Sequence, residues 1–209
     1  MLKILIADDH AVVRNGLKNI LVDGIGKNTF GEAQNGAEVL SLTQKQKWDI
    51  VIMDISMPGR NGLEILKDLK RTNRTLPVLI LSIHPEDQYA IRALRSGASG
   101  YITKGSAPDE LVKAVKKILA GDKYISADLT RKLPFYLDPQ TEKNPHEKLS
   151  DREYQVMCMM ASGKAAKQIA EELSLSVKSI STYRTRILEK LELTTNAEII
   201  HYAIDNKLV

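Results

Sequence analysis

The chain has 209 residues, 43% of them hydrophobic and 27% charged, an ordinary composition with apolar side chains enough for one large domain or two small ones. No apolar run approaches membrane-spanning length, and MLKILIADDH has neither the apolar segment nor the cleavage site of a signal peptide, so neither is expected. Cys158 is the single cysteine, which excludes an internal disulfide framework and fits a reducing cytosol, and His10, His84, His146 and His201 are scattered and suggest no metal cluster. The net charge of +4 does not by itself argue for nucleic acid. Residues 1–125 carry 18 basic and 14 acidic side chains, residues 126–148 four of each, and residues 149–209 eight of each. Any DNA-binding case must rest on where particular residues sit on a helix.

Strand and helix patterns alternate through the first 120 residues. Lys3–Ala7 reads as a strand and Val12–Leu21 as an amphipathic helix. Thr29–Ala33 is a weaker strand, followed by a helix at Gly36–Gln44. Ile50–Met53 is an unbroken apolar run that suits a strand covered on both faces, and a helix follows at Leu63–Lys70. Val78–Leu81, a helix at Asp87–Ser96, the short strand Gly100–Thr103 and a helix at Asp109–Ala120 complete the series. Five such β-α units predict an α/β fold with a five-stranded, parallel, doubly wound sheet of the flavodoxin type. Residues 1–121 form this first domain.

Residues 122–148 read as a linker, since DPQTEKNPHEK lacks periodicity and holds two prolines. ISADLTRKLPFYL gives a short helix starting at Ser126, with Phe135, Tyr136 and Leu137 packing back on a domain. From Leu149 the strand signal disappears. Ser150-Asp151-Arg152-Glu153 is a capping-box pattern that opens a helix to Ala161, which Gly163 stops. Helices at Ala165–Leu173, Val177–Leu191 and Ala197–Asn206 follow, the first two joined by the tight turn Ser174-Leu175-Ser176. Residues 149–209 thus outline a small all-α, four-helix domain built on a helix-turn-helix.

Open parallel sheets hold ligands outside the carboxyl ends of their strands. There lie Asp8 and Asp9 after the first strand, Asp54 after the third, Ser82 after the fourth and Lys104 after the fifth. Three carboxylates converging in one crevice call for a cation, and Mg²⁺ suits oxygen donors that leave room for phosphate. With a lysine and a hydroxyl opposite, the set equips a carboxylate nucleophile for phosphoryl transfer. Asp9 also qualifies as a cap for the helix that follows. Trp48, which opens a strand, and Cys158, among Val156, Met157, Met159 and Met160, are expected to be packing residues.

The chain resembles two-component response regulators of the NarL/FixJ class, a receiver domain joined to a LuxR-type helix-turn-helix. The residues that carry the resemblance are Asp8-Asp9, D-x-x-M-P-G at Asp54–Gly59, Ser82, and G-Y-I-T-K at Gly100–Lys104, then LSDREYQVM, KQIAEELSLS and VKSISTYRTRILEKL. Tyr183 departs from the histidine of many relatives and should still pack on the bundle. The resemblance implies that Asp54 accepts a phosphoryl group from a sensor histidine kinase. It implies that Asp9 and Asp54 ligate Mg²⁺ with the carbonyl of Ser56, while Asp8 acts more through water. Lys104 and Ser82 would bind the phosphoryl group, with Tyr101 changing rotamer as Ser82 draws in its loop. Ser56 and His84 flank the site, where the family tunes hydrolysis.

In the second domain Val177, Ile180, Ile187, Leu188 and Leu191 should face the bundle, leaving Lys178, Ser181, Thr182 and Thr185 as a stripe for base edges and phosphates. Arg184, Arg186 and Lys190 would flank it on the DNA backbone, with Lys164 and Lys167 adding phosphate contacts. Equal charge of both signs makes a monomer a weak binder, so a homodimer on promoter DNA is expected, its contact drawing on Ile199, Ile200, Tyr202, Ala203 and Ile204. RNA polymerase would be a further partner, and the cytoplasm the location. Two rivals remain. One is a regulator driven by a protein partner without phosphorylation. The other is a haloacid-dehalogenase-like phosphatase, which wants a second aspartate where this chain has Ser56.

Overall fold

The computed structural model describes residues 1–127, 129–131 and 144–209, the side chains of residues 87 and 88 excepted. The chain divides into two compact units, Met1–Asp138 and Pro139–Val209. Among the described residues no helix is long and apolar enough to cross a membrane.

The first unit alternates β1 (Lys3–Ala7), α1 (Ala11–Ile25), β2 (Thr29–Ala33), α2 (Gly36–Lys45), β3 (Ile50–Asp54), α3 (Gly62–Thr72), β4 (Val78–Ser82), α4 (Glu86–Arg95), β5 (Gly100–Thr103) and α5 (Ala107–Leu119). All pairings are parallel, in the order β2-β1-β3-β4-β5. The chain therefore reverses direction across the sheet between β1 and β3, and the crevice at that switch point lies beyond Ala7 and Asp54. Every residue of β3 and β4 is buried, as continuous apolar runs require, whereas edge strand β2 is partly exposed. Its central glycine has a packing reason. A Cβ at Gly31 would come within 2.1 Å of the Trp48 ring, whose Nε1 donates to the Leu42 carbonyl at 3.1 Å, so Trp48 is a packing residue as expected.

Helix α1 outruns its expected end at Leu21, because Ile25 continues the apolar stripe onto the core before Gly26, at φ 78°, stops it. α1 and α5 pack together on one face around Ile4, Ile6, Ile52, Leu111 and Val115, while α2, α3 and α4 succeed one another on the other. The first unit also runs on past Gly121. Tyr124 forms a bridge to Gly100, and Ser126 Oγ accepts from the Leu129 amide at 3.1 Å, capping the short helical segment expected there. Ser126 Oγ also donates to the carboxylate of Glu86, the first residue of α4. Phe135, Tyr136 and Leu137 lie outside the described residues.

The second unit holds a 3₁₀ turn (Pro145–Lys148), then α6 (Asp151–Ala161), α7 (Ala166–Glu172), α8 (Val177–Leu191) and α9 (Asn196–Asp205). The Ser150/Glu153 capping box is present in both directions, with Ser150 N–H on Glu153 Oε2 at 2.7 Å and Glu153 N–H on Ser150 Oγ at 3.3 Å. Gly163 ends α6 at φ 82°, and Ser174 takes φ 53° to make the tight turn before Ser176 caps α8. Met157, Cys158, Ile169, Ile180, Ile187 and Ile199 form its buried interior, so Cys158 is core as expected.

Candidate functional site

The carboxyl ends of β1, β3, β4 and β5 place five of the expected residues at one rim of the sheet, and Asp8, Asp54 and Lys104 meet there. β3 carries Asp54 as its last residue, 2% exposed, and Asp8 follows β1 at 0%. Lys104 follows β5 and its amide bonds the Ser82 carbonyl at 2.7 Å, which ties the ends of β4 and β5 together. Its ammonium reaches back between the acids, 2.6 Å from Asp8 Oδ2 and 2.7 Å from Asp54 Oδ2. The free oxygens are fixed by backbone. Asp8 Oδ1 accepts from the His10 amide at 2.8 Å, and Asp54 Oδ1 from the Ser56 amide at 3.0 Å. The loop that makes this last bond leaves no room for a side chain, since a Cβ at Gly62 would stand 2.6 Å from Ile55 Cα and 2.8 Å from the Asp54 carbonyl.

Electrostatics set the chemistry. Burial pushes the Asp54 carboxyl above the usual carboxylate range, although Lys104 and the Ser56 amide pull the other way. Burial also works against the Lys104 charge, but its bonds to Asp54 and Asp8 outweigh that and raise the ammonium above its ordinary value. The two shifts agree: the lysine stays charged, and one ammonium is not enough for two buried acids. The deficit grows with Asp9, whose Oδ1 lies 2.9 Å from His10 Nδ1. Asp9 does not cap α1, whose cap position is His10. Oxygen donors with excess negative charge fit a hard divalent cation such as Mg²⁺. Asp8, Asp9 and His10 are the group whose ligand atoms all lie within 4.8 Å of one another among the described residues. His10 is thus a site neighbour that its sequence context, one histidine among four scattered ones, did not announce.

Ser82 is fully buried, and its Oγ accepts from the His84 amide at 3.1 Å. Tyr101, also fully buried, donates its hydroxyl to the His84 carbonyl at 2.8 Å. The His84 ring stacks on Tyr89 at 4.6 Å, and its Nε2 lies 3.3 Å from Ser56 Oγ. Ser82, Tyr101, His84 and Ser56 therefore act on one loop, which leads into Glu86 and its bond to Ser126.

In the second unit Lys178, Ser181, Thr182, Thr185 and Arg186 are exposed on α8, and Lys167 is exposed on α7. The three hydroxyls donate to the carbonyls four residues back, at 3.1, 3.0 and 3.2 Å, which leaves their lone pairs as acceptors. Lys164 pairs with Glu172 at 2.5 Å in the open, and Arg184 Nε donates to Asn196 Oδ1. One expectation needs correction. Val177 is 47% exposed instead of facing the bundle, because it sits in the first turn beyond the reach of the other helices' apolar stripes. Lys190, whose side chain is 39% exposed, also pairs with the fold, its Nζ 2.6 Å from the buried Glu153 carboxylate.

That pair carries a stability prediction. Burial works to raise the Glu153 carboxyl, but Lys190 and the Ser150 bonds overcome it and hold the group below the usual range. Its stabilisation is therefore present above the ordinary carboxylate value and is lost as pH falls through the depressed folded value. Glu153→Ala should cost about 2 kcal/mol at neutral pH through the lost cap and ion pair. In denaturant titrations that deficit should shrink in acid, and a deficit of equal size at both pH values would contradict the assignment.

Comparison with known proteins agrees with this division. Residues 4–116 match the family model for the response regulator receiver domain, and residues 147–203 that for bacterial regulatory proteins of the luxR family. The chain is 37% identical to the response regulator GacA of Pseudomonas aeruginosa over 100% of its own length and 98% of the relative's. It is 34% identical to the response regulator UvrY of Escherichia coli over 100% and 96%. Among solved structures it is similar to RcsB from Salmonella enterica serovar Typhimurium bound to the promoter rprA with the phosphomimetic BeF3⁻. That likeness has 25% identity, covers 96% of this chain and 97% of that one, and has a TM-score of 0.65.

Proposed function

The chain belongs to the two-component response regulators that join a receiver domain to a LuxR-type DNA-binding domain, and on that premise we propose that it is switched by phosphorylation of Asp54. The observation that carries the reading is the buried Asp8–Lys104–Asp54 bridge at the sheet's switch point. A carboxylate held there at the end of a rigid strand is a poised nucleophile. One Asp54 oxygen attacks phosphorus, a new O–P bond forms, and the donor's P–N bond breaks with its electron pair left on the histidine of a sensor kinase. Lys104 exchanges a carboxylate for a phosphoryl oxygen, and the Ser82 hydroxyl donates to another. Asp8, Asp9, Asp54 and the Ser56 carbonyl would hold Mg²⁺, which when bound neutralises charge on the phosphoryl oxygens.

Drawing Ser82 toward the phosphoryl group pulls on the His84 amide, on the carbonyl that Tyr101 holds, and through Glu86 on Ser126 at the start of the linker. New contacts at one end of the sheet thereby bias an existing equilibrium elsewhere. The outcome in this reading is a homodimer on promoter DNA in the cytoplasm, working with RNA polymerase. Of the α9 residues expected at that contact, Ile199 and Ala203 are fully buried in their own bundle; Ile204, 54% exposed, supports a contact between copies. Residues 1–121 receive the signal, 122–148, whose first part packs on the first unit, link, and 149–209 bind DNA. Serine at position 56, whose hydroxyl faces His84, supplies no acid/base carboxylate, which favours a phosphoacceptor over a turnover phosphatase.

DNA titrations with and without a small phosphodonor test the output. Thr182→Ala should relax sequence preference at one base position, by about 1–3 kcal/mol of discrimination. Lys167→Ala should weaken binding to all sequences alike and lower the salt slope by about one. Equal losses on every sequence from both variants would show that the reading face is misassigned.

A further inference from the structure

Arg14 stands outside the machinery just described, yet it is the one arginine of the first unit's described residues that is buried, its side chain 7% exposed in α1. A guanidinium is withdrawn from water only where its donors are matched. Its Nε bonds Glu32 Oε2 on β2 at 2.7 Å, and its Nη1 donates to the Asp8 carbonyl at 2.7 Å. The other Glu32 oxygen takes Lys18 Nζ at 2.6 Å, and the two cations hold the Glu32 carboxyl below the usual range.

The Asp8 carbonyl belongs to the peptide unit that joins Asp8 to Asp9. Rotation of that one plane re-aims the two acids relative to each other. The backbone N–H of Asp8 is already tied to the Ala33 carbonyl at 3.1 Å, so the plane turns about the following bonds, and Arg14, anchored by Glu32 on β2, opposes that rotation. We infer that Arg14 is a positioning residue for the divalent-cation site: clamped by Glu32, it sets the angle between the Asp8 and Asp9 carboxylates without touching the ion. The inference rests on the Mg²⁺ reading above. A fork with two donors is needed, one for a carboxylate and one for a carbonyl, and lysine offers a single nitrogen.

The test is a Mg²⁺ titration of the ¹⁵N-labelled full-length protein, followed at the Asp8, Asp9 and His10 amides, with amide exchange at the same residues in metal-free buffer. Arg14→Met should weaken Mg²⁺ binding about tenfold, the low end for loss of an outer partner of a metal site. It should also speed metal-free exchange at Asp9 and His10 while the central strands stay protected. Arg14→Lys should recover only part of the affinity, and Glu32→Gln should lose less than Arg14→Met. These two milder variants carry the test should Arg14→Met not fold. Wild-type Mg²⁺ affinity in all folded variants, whatever their thermal midpoints, would overturn the role of Arg14 alone. A wild-type protein whose Asp8–His10 amides ignore Mg²⁺ would overturn the metal reading and this inference with it.

Discussion

Asp54→Asn protein should take up no measurable phosphoryl group from a small phosphodonor in Mg²⁺ and should keep its fold. The substitution preserves volume and removes the proposed nucleophile, because an amide oxygen does not form a stable bond to phosphorus. Uptake should fall by more than about three orders of magnitude, the scale seen when a nucleophile is deleted outright. Stability should move the other way. Asp54 is 2% exposed and its carboxyl is pushed up by burial, so folding disfavours its charge. An acid raised on folding loses stability for the protein as pH rises through its folded value, and asparagine removes that loss. Phosphate-affinity electrophoresis reads the first effect and calorimetry the second. Retained uptake would move the acceptor to another residue, and a large drop in thermal midpoint would mean that Asp54 holds the fold instead of costing it.

Lys104→Met should be the most destabilising change at the site. It leaves Asp8 and Asp54 facing one another, both buried, with their shared cation gone. Breaking a buried pair by removing one partner typically costs about 3–5 kcal/mol. The account predicts more than a loss: Mg²⁺ should restore the midpoint by a larger margin in Lys104→Met than in the wild type, because the ion no longer competes with an ammonium for the same oxygens. Phosphoryl uptake should stay low even with the ion saturating, since the fixed charge opposite the transferred group is missing. Thermal melts across a Mg²⁺ series decide this. A midpoint shift with Mg²⁺ that is no greater than in the wild type would separate the lysine from the cation site.

What could be read from residues alone was what local pattern controls. The run Ile50–Met53 followed by Asp54 and Met57-Pro58-Gly59 specifies a strand buried on both faces with an acid at its tip, and β3 is that strand. Ser150 and Glu153 sit at capping distance along the chain, and they cap. The companions Asp8, Ser82 and Lys104 followed from topology, because a parallel sheet gathers all its carboxyl ends at one rim. What stayed hidden depends on pairs that no periodicity links. Arg14 meets Glu32 across 18 positions and Lys190 meets Glu153 across 37, so neither pairing was foreseen. His10 gave no sign of joining the acids, because its approach depends on how the loop after β1 folds back. Tyr124 likewise lies in a stretch without periodicity, and only its bridge to Gly100 shows that the first unit continues beyond α5.

The most direct measurement is to treat the full-length protein with a small phosphodonor, with and without a chelator, trap the acyl phosphate by borohydride reduction, and map it by peptide mass spectrometry. The account predicts one Mg²⁺-dependent adduct, in the peptide that contains Asp54 and on that residue. An adduct on any other side chain, one formed equally with the ion stripped away, or none at all would contradict it.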